Sequence, residues 1–239
     1  MSAFTVRRVT DPQDPAIARF GTLQSEVYFE PDMLIPARYI AHMLAEPGDR
    51  VNFLLVAEEA GELLGGTVFH YLPAAGSGFS SFMGVTRAAR GRGVARALHE
   101  ARWAALEEAA QGQLRGVFID VVSPERLTGH EREAEAEVGS DPLSRRRTFQ
   151  ALGFRTVDLR YEQPVGGEHG GPVTNMDLLF CPPAPVGTVA VALVAATMRA
   201  YWNSWLGAAR AEREARKFHE RAGGRAEVPL LDAWKSPDA

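Results

Sequence analysis

The apolar and polar positions along the chain follow two different periods, and these periods predict a mixture of strands and helices. Short apolar or alternating runs bounded by glycine, proline or aspartate are typical of strands, whereas apolar residues recurring every three or four positions are typical of helices. The predicted strands cover residues 4–9, 52–58, 63–71, 79–85, 117–122, 154–162 and 175–181, and the predicted helices begin near residues 15, 36, 94 and 142. This order indicates a mixed α/β domain.

A different pattern begins after the proline-rich stretch 182–185, which we interpret as a stiff linker. Apolar residues recur at helical spacing over 191–205 and charged residues follow over 210–221, which predicts one long amphipathic helix. Its apolar face must be buried against its own domain or a second subunit, so a homodimer through this helix is one expectation. Residues 228–234 are expected to form a docked end or a tail. The predicted domains are residues 1–181 and residues 182–239.

The composition favours a folded protein of a reducing compartment. Of the 239 residues 46% are hydrophobic, enough for a sizeable core, and the net charge of −4 with a pI near 5.9 argues against nucleic acid as a partner. The single cysteine, Cys181, excludes an internal disulfide and any multi-cysteine metal site, and we expect no metal. The N-terminus lacks a signal-like apolar run, and residues 189–198 are too few to span a bilayer. We expect a cytoplasmic protein without a membrane partner.

The most informative stretch runs from Phe79 to Leu98, where a strand, a glycine-rich basic loop and a helix follow one another. Glycines allow an anion to approach the backbone, and the first turn of a helix offers unpaired N–H groups and the positive end of the helix dipole. Arg87, Arg90 and Arg92 add positive charge to the loop. The junction therefore predicts an anion site, and the alternative is an ordinary loop between a strand and a helix.

The spacing Arg90-x-x-Gly93-x-Ala95 resembles the (Gln/Arg)-x-x-Gly-x-(Gly/Ala) signature of the GNAT acyltransferases. A P-loop would require Gly-x-x-x-x-Gly-Lys-(Ser/Thr), and a dinucleotide site three glycines spaced G-x-G-x-x-G; neither is present in this loop. A second resemblance is a helix with Phe149 four residues before Gly153-Phe154, followed by a strand. The resemblance covers residues 3–181 and implies the GNAT fold: an α/β (α+β) domain with a mostly antiparallel central sheet flanked by helices, here with an extra C-terminal helix.

The resemblance implies transfer of an acetyl or other acyl group from coenzyme A to an amine of a small molecule, a peptide or a protein. Acetyl-CoA, or another acyl-CoA, would be the donor substrate. The backbone N–H of Met83 would polarise the thioester carbonyl, and the strand around Met83 and Val85 would pair with the pantetheine arm. The remaining expected cofactor-binding residues are Arg90, Gly91, Arg92, Gly93, Val94 and Ala95, which would hold the pyrophosphate, and Phe149.

Two positions depart from the family pattern. Phe79 stands where histone acetyltransferases place a glutamate, and Phe149 stands where many members carry a tyrosine general acid. The second departure is tolerable because a thiol has a pKa near 8.5, so its thiolate can leave with little help. The first lowers the expectation of a histone-type mechanism.

A base must still take the proton of the attacking amine. Asp120 and Glu26 are the first candidates, followed by Tyr28 and His130. A lone histidine, His70, near the end of a predicted strand is expected to be structural rather than catalytic.

Two segments are candidates for contact with the acceptor. In GNAT folds the region corresponding to residues 26–35 forms one wall of the acceptor site, although its aromatic residues would equally serve to pack a loop. An insert over residues 124–141 carries alternating glutamates and is either a solvated face or an acidic field that attracts a cationic substrate.

Two other functions remain open from sequence. The chain could bind acyl-CoA without turnover and act as a sensor, which the absent glutamate and tyrosine allow. It could also be an interaction protein whose C-terminal helix builds an oligomer while the loop binds another anion.

Overall fold

The computed structural model describes residues 4–30, 33–46, 48–139, 141–166 and 171–237. By their internal contacts these residues form two compact units. Unit 1 comprises Met1–Tyr71, Ser80–Gln113 and Gly129–Asp141, and unit 2 comprises Leu72–Phe79, Leu114–Thr128 and Pro142–Ala239.

Unit 1 combines four strands with four helices. The strands are β1 (Thr5–Val9), β2 (Val51–Glu59), β3 (Glu62–Leu72) and β4 (Ser77–Val85), whose first three residues belong to unit 2. The helices are α1 (Ala16–Val27), α2 (Ala37–Ala45), α3 (Val94–Ala109) and α4 (Gly129–Glu137). The strands lie in the order β1-β2-β3-β4, and the pairs β1–β2 and β2–β3 are antiparallel.

A hairpin joins β2 to β3. Its two turn residues, Ala60 and Gly61, have φ angles of 50° and 85°, as a tight two-residue turn requires. The register then shifts beside Gly65, because Ala57 pairs with Gly65 whereas Glu58 pairs with Leu63. The pair of strands therefore contains a bulge or irregularity at this point.

Glycines in β3 and β4 allow α1 to lie close to the strands. A Cβ added to Gly66 would be 2.7 Å from Cδ2 of Phe20, and one added to Gly84 would be 2.7 Å from Cδ2 of Leu23. Phe20 and Leu23 lie on the buried face of α1. Side chains at these two glycine positions would push α1 away from β4, the strand that leads into the glycine-rich loop.

Unit 2 contains a second set of antiparallel strands with its own helices. The strands β5 (Val117–Val122), β6 (Arg155–Val157), β7 (Met176–Cys181), β8 (Thr188–Ala190) and β9 (Glu227–Leu231) lie in the order β5-β7-β6-β9-β8. Each neighbouring pair is antiparallel. The helices are α5 (Pro142–Ala151), α6 (Val191–Leu206) and α7 (Ala208–Arg221).

The strand predicted over residues 154–162 is wrong in its length, because only Arg155–Val157 is a strand. Residues 228–234 are a docked end, since β9 lies between β6 and β8. Between β6 and β7, residues 167–170 lie outside the described residues.

The single long C-terminal helix that the sequence predicts is wrong: Gly207 divides it into α6 and α7. Its φ of 74° and ψ of 158° are not helical, and glycine adopts them without steric cost. The two helices pack on each other, and α6 also contacts Phe79 and Tyr161 of unit 2. The apolar face of α6 is thus covered by the chain itself, and a homodimer stays a prediction.

Within unit 2, a buried arginine joins the C-terminal residues to α5 and β7. Arg146 of α5 is fully buried and donates from Nη1 to Oδ2 of Asp177 at 2.7 Å and from Nη2 to the carbonyl oxygen of Lys235 at 2.8 Å. It also donates to the carbonyl oxygen of Ala233. Asp177 also forms an ion pair with Arg126, whose Nη1 lies 2.7 Å from Oδ1. Residues 233–235 are therefore held by the buried guanidinium group of Arg146.

The mixed α/β architecture with mostly antiparallel strands is confirmed. The described residues contain seven α-helices, distributed over both units. None of these helices is long and apolar enough to cross a membrane.

Candidate active site

The glycine loop, residues 86–95, joins β4 to α3 in unit 1. A short 3-10 turn over Arg87–Ala89 follows the strand, and α3 begins at Val94. Gly91 and Gly93 have φ angles of 77° and 83°, in the region where glycine is favoured. No atom lies within 4 Å of a Cβ added to either glycine. The backbone here is bent by glycine and open to approach from outside.

The N-terminus of α3 offers hydrogen-bond donors. The first N–H groups of a helix have no acceptor within it. In the described part of the chain no hydrogen bond uses the N–H groups of Gly91, Gly93, Val94 or Ala95, and no side chain caps α3. Open space and unpaired donors beside the positive end of a helix dipole fit a phosphate or pyrophosphate group.

Two of the three loop arginines hold the insert. Arg87 donates from Nη2 to the carbonyl oxygen of Glu137 at 2.6 Å and from Nε to that of Val138 at 3.1 Å. Arg90 donates to the carbonyl oxygen of Gly139. Both therefore contact the C-terminal end of α4, where carbonyl groups lack intrahelical donors. The partners of Arg87 in these bonds are neutral carbonyls, which do not offset the charge of its guanidinium group.

The third arginine of the loop makes an exposed ion pair. Nη2 of Arg92 lies 2.7 Å from Oε1 of Glu59 in β2. Solvent screens such a pair, which typically contributes at most about 1 kcal/mol. A competing anion would lose little by displacing it.

The acidic insert is a helix rather than one continuous acidic face. Within α4, Glu133 and Glu137 are exposed whereas Glu135 is buried. Residues two apart on a helix point in different directions, which divides the alternating glutamates between faces. His130, a proton-transfer candidate, is exposed at the start of α4. Ser140, near the end of the insert, lies outside the described residues.

A buried polar network, missed from sequence, fastens β4 to α3. Arg102 of α3 is fully buried and donates from Nη1 to Oγ of Ser80 at 2.7 Å; its Nη2 lies 2.6 Å from Nδ1 of His99. Thr67 of β3 donates to the carbonyl oxygen of Phe82 at 2.8 Å. Met83 and Val85 follow on β4 and are partly exposed. The position of Arg102, four residues after Leu98 on the apolar stripe, is the sequence signal that indicates its burial.

His70 is held as a structural residue. Its Nδ1 lies 2.8 Å from Oδ1 of Asn52, and its Nε2 lies 2.8 Å from Oγ of Ser81. Burial lowers the pKa of His70 well below its usual value, with a smaller contribution from the positive charge of Arg50. The ring is therefore neutral near pH 7.

The candidates at the end of α1 differ in exposure. Glu26 is exposed, whereas Tyr28 is partly buried. The Tyr28 ring lies 5.4 Å from that of Phe29 and 6.0 Å from that of Phe82, centroid to centroid. These aromatic side chains thus pack against β4 one residue from Met83. Pro31 and Asp32 of the proposed acceptor wall lie outside the described residues.

Asp120 of β5 lies in unit 2 and is bonded to a tyrosine that the sequence reasoning missed. The hydroxyl of Tyr161 donates to Oδ2 of Asp120 at 2.9 Å. Burial raises the pKa of Asp120 to about 6, and the Tyr161 hydrogen bond opposes this shift. An aspartate inside an apolar strand needs a polar partner, and a buried tyrosine usually has one. Because each residue requires a polar partner, the sequence could have indicated that Asp120 and a tyrosine form a pair.

The two residues that depart from the family pattern make aromatic contacts in unit 2. The Phe79 ring stacks on Tyr201 of α6, with centroids 3.7 Å apart. Phe149 is partly buried and meets Phe154 edge to face at 5.6 Å. Neither position supplies a proton-transfer group.

One group of the predicted site residues belongs to unit 1. That group comprises Glu26, Met83, Val85, Arg90, Gly91, Arg92, Gly93, Val94 and Ala95. Asp120 and Phe149 belong to unit 2. Among the residues that the structure describes, no cluster of three or more histidine, cysteine or carboxylate side chains has the arrangement of a metal site.

A sequence model of the acetyltransferase (GNAT) family matches residues 17–127, which include β4, the glycine loop and α3. No curated protein sequence matches the chain. Residues 17–127 are therefore a GNAT acetyltransferase domain, and the family resemblance is confirmed.

Solved structures have the same fold at low sequence identity. A GNAT-family acetyltransferase structure from Desulfovibrio desulfuricans is 16% identical, with a TM-score of 0.52 over 76% of this chain and 100% of that one. One from Bacteroides thetaiotaomicron is 13% identical, with a TM-score of 0.52 over 92% and 99%. Ard1 from Thermoplasma volcanium is 17% identical, with a TM-score of 0.50 over 77% and 99%. At these identities the comparison establishes the fold alone.

Proposed function

We propose that this protein is an acyl-CoA-dependent N-acyltransferase that acetylates a primary amine of a small molecule or a peptide. The observation that carries the proposal is in the glycine loop, where the N–H groups of Gly91, Gly93, Val94 and Ala95 form no hydrogen bond within the described part of the chain. Gly91 and Gly93 also leave the backbone open there. That arrangement lies within the segment that matches the acetyltransferase family.

The donor side of the proposal uses backbone groups more than side chains. The N–H groups of Gly91, Gly93, Val94 and Ala95 hold the pyrophosphate, while Arg90 and Arg92 contribute positive charge. Met83 and Val85 pair with the pantetheine arm, and Phe149 borders the coenzyme. Acetyl-CoA supplies an activated acyl group and a thiolate leaving group. The N–H of Met83 polarises the thioester carbonyl, a contribution worth roughly 3–4 kcal/mol in other acyl-transfer enzymes.

On the acceptor side, Asp120 is the proposed base. A pKa of about 6 leaves its carboxylate ionised at neutral pH while keeping it basic enough to take a proton from an ammonium group. Glu26 is the second candidate, and its exposure makes it better suited to attracting a cationic acceptor than to abstracting a proton. The departing thiolate needs no acid from the position of Phe149.

Two measurements test the proposal. Isothermal titration with acetyl-CoA measures donor binding, and thiol release across a panel of polyamines, amino acids and peptides measures transfer. Binding together with amine-dependent thiol release supports the enzyme. Binding with no release for any amine would favour the acyl-CoA sensor, and no binding would contradict both.

A further inference from the structure

The hydrogen bond between Tyr161 and Asp120 is the contact in unit 2 that the proposed chemistry leaves unexplained. Tyr161 is fully buried, whereas Asp120 is partly exposed on β5. The tyrosine donates to Oδ2 of the aspartate. In the described part of the chain no hydrogen bond from another residue reaches Oδ1. One carboxylate oxygen is therefore fixed while the other is left to interact with a proton donor.

Helices α6 and α7 hold the Tyr161 ring. Its centroid lies 6.3 Å from that of Trp202 and 6.5 Å from that of Phe218, and both partners are buried. The indole Nε1 of Trp202 is also buried and forms no hydrogen bond within normal limits in the described residues. Burial raises the pKa of Tyr161 well above its usual value, and the Trp202 indole opposes this shift. The C-terminal helices thus hold the Tyr161 ring in place through Trp202 and Phe218.

We propose that Tyr161 is a positioning residue that orients Asp120 and sets the pH at which it acts as a base, and that the C-terminal helices hold Tyr161 for this purpose. The proposal rests on the proposed function of Asp120. It gives the segment beyond residues 17–127 a role in the reaction, because α6 and α7 supply the residues that surround the tyrosine.

Two opposing effects act on the carboxyl group. Burial favours the neutral acid and raises the pKa of Asp120, whereas the hydrogen bond from Tyr161 stabilises the carboxylate and lowers it. Tyr161 is the one side chain in the described residues that shifts the pKa of Asp120, and Tyr201 of α6 in turn raises that of Tyr161. Removing the Tyr161 hydroxyl should therefore raise the pKa of Asp120 further.

The test compares Tyr161→Phe with Tyr201→Phe. Both remove one hydroxyl from a buried tyrosine of unit 2, and in the described residues Tyr161 is the one that donates to Asp120. The Asp120 carboxyl is titrated by carbon-13 NMR in the full-length protein, with Asp120→Asn used to assign the signal. We expect the pKa of Asp120 to rise by about one pH unit in Tyr161→Phe and not to rise in Tyr201→Phe. An unchanged titration in Tyr161→Phe would overturn the inference.

The pH dependence of kcat separates this inference from the proposed function. If Asp120 is the base, the acid limb of the profile should move upward together with its titration. If the pKa of Asp120 rises in Tyr161→Phe while the acid limb of the kcat profile stays where it is, Asp120 is not the base. Tyr161 then has no positioning role in catalysis. If Asp120→Asn abolishes turnover but the pKa of Asp120 is unchanged in Tyr161→Phe, Asp120 is still supported as the base. The role of Tyr161 is then overturned.

A second variant keeps the test open if Tyr161→Phe does not fold. Trp202→Phe preserves an aromatic ring and the tyrosine hydroxyl but removes the indole N–H. Because Tyr161 then becomes a weaker donor, we expect the pKa of Asp120 to move in the same direction by a smaller amount. No movement in this variant would contradict the contribution of α6.

Discussion

Gly139 lies directly against the guanidinium group of Arg87. A Cβ at this position would be 2.7 Å from Cζ and 2.8 Å from Nε of the arginine, and the φ angle of Gly139 is 62°. The same guanidinium donates to the carbonyl oxygens of Glu137 and Val138. The absence of a side chain at Gly139 is therefore what allows the end of α4 to rest on the glycine loop.

Gly139→Ala should release the end of α4. Arg87 is flexible and can move away from the new methyl group at little cost, but in doing so it loses its bonds to α4. We expect faster amide exchange over residues 129–139, measured by hydrogen–deuterium exchange, with a change in global stability of about 1 kcal/mol from backbone strain.

Gly223→Ala is the matched control. Its φ of 60° imposes nearly the same strain, and no atom lies within 4 Å of the added Cβ. Equal exchange of α4 in both variants would show that contact with Arg87 does not hold the insert.

Gly93→Val should weaken acetyl-CoA binding. The valine side chain would occupy the open space beside the N–H groups of α3 and disfavour the φ of 83°. We expect a loss of roughly tenfold or more in affinity, at least about 1.4 kcal/mol, measured by isothermal titration.

The control for Gly93→Val is at the other end of the same helix. Gly112 has a φ of 77° and likewise no atom within 4 Å of an added Cβ, so Gly112→Val introduces comparable strain away from the loop. Its affinity for acetyl-CoA should equal that of the native protein. A similar loss in both variants would assign the effect to general destabilisation of α3.

Arg146→Met should destabilise the fold strongly. It removes one of the two arginines that pair with Asp177 and the donors to the carbonyl oxygens of Ala233 and Lys235. Breaking a buried ion pair from one side typically costs about 3–5 kcal/mol. Urea unfolding measures the loss, and Arg147→Met at the exposed neighbouring position should change stability by less than about 0.5 kcal/mol. Similar losses in the two variants would contradict a structural role for the buried pair.

Asp120→Asn should change how stability depends on pH. The pKa of Asp120 is raised from 3.8 to about 6 in the folded protein, so its contribution to stability is fully present below pH 3.8 and is lost as the pH rises through 6. Relative to the native protein, the variant should therefore gain about 2 kcal/mol between pH 4 and pH 7, after allowance for the partial exposure of the carboxyl group. Urea unfolding at both pH values provides the measurement, and an unchanged difference between the two proteins would contradict the raised pKa.

Features that depend on neighbouring residues could be predicted from the sequence. The turn at Ala60-Gly61 and the glycine loop follow from local backbone preferences, since glycine adopts positive φ angles and a helix always begins with unpaired N–H groups. The break at Gly207 was local as well. It was missed because the helical pattern of apolar and charged residues continues on both sides of this glycine.

The sequence by itself determined the family resemblance, the donor loop and most of the strand and helix order, because spacing and periodicity are properties of short segments. Only the tertiary structure decided which distant polar groups meet. Tyr161 and Asp120 are 41 positions apart, and Arg146 and Asp177 are 31 apart. Such pairs form where packing excludes water and each buried polar group must find a partner, which depends on how the strands and helices assemble.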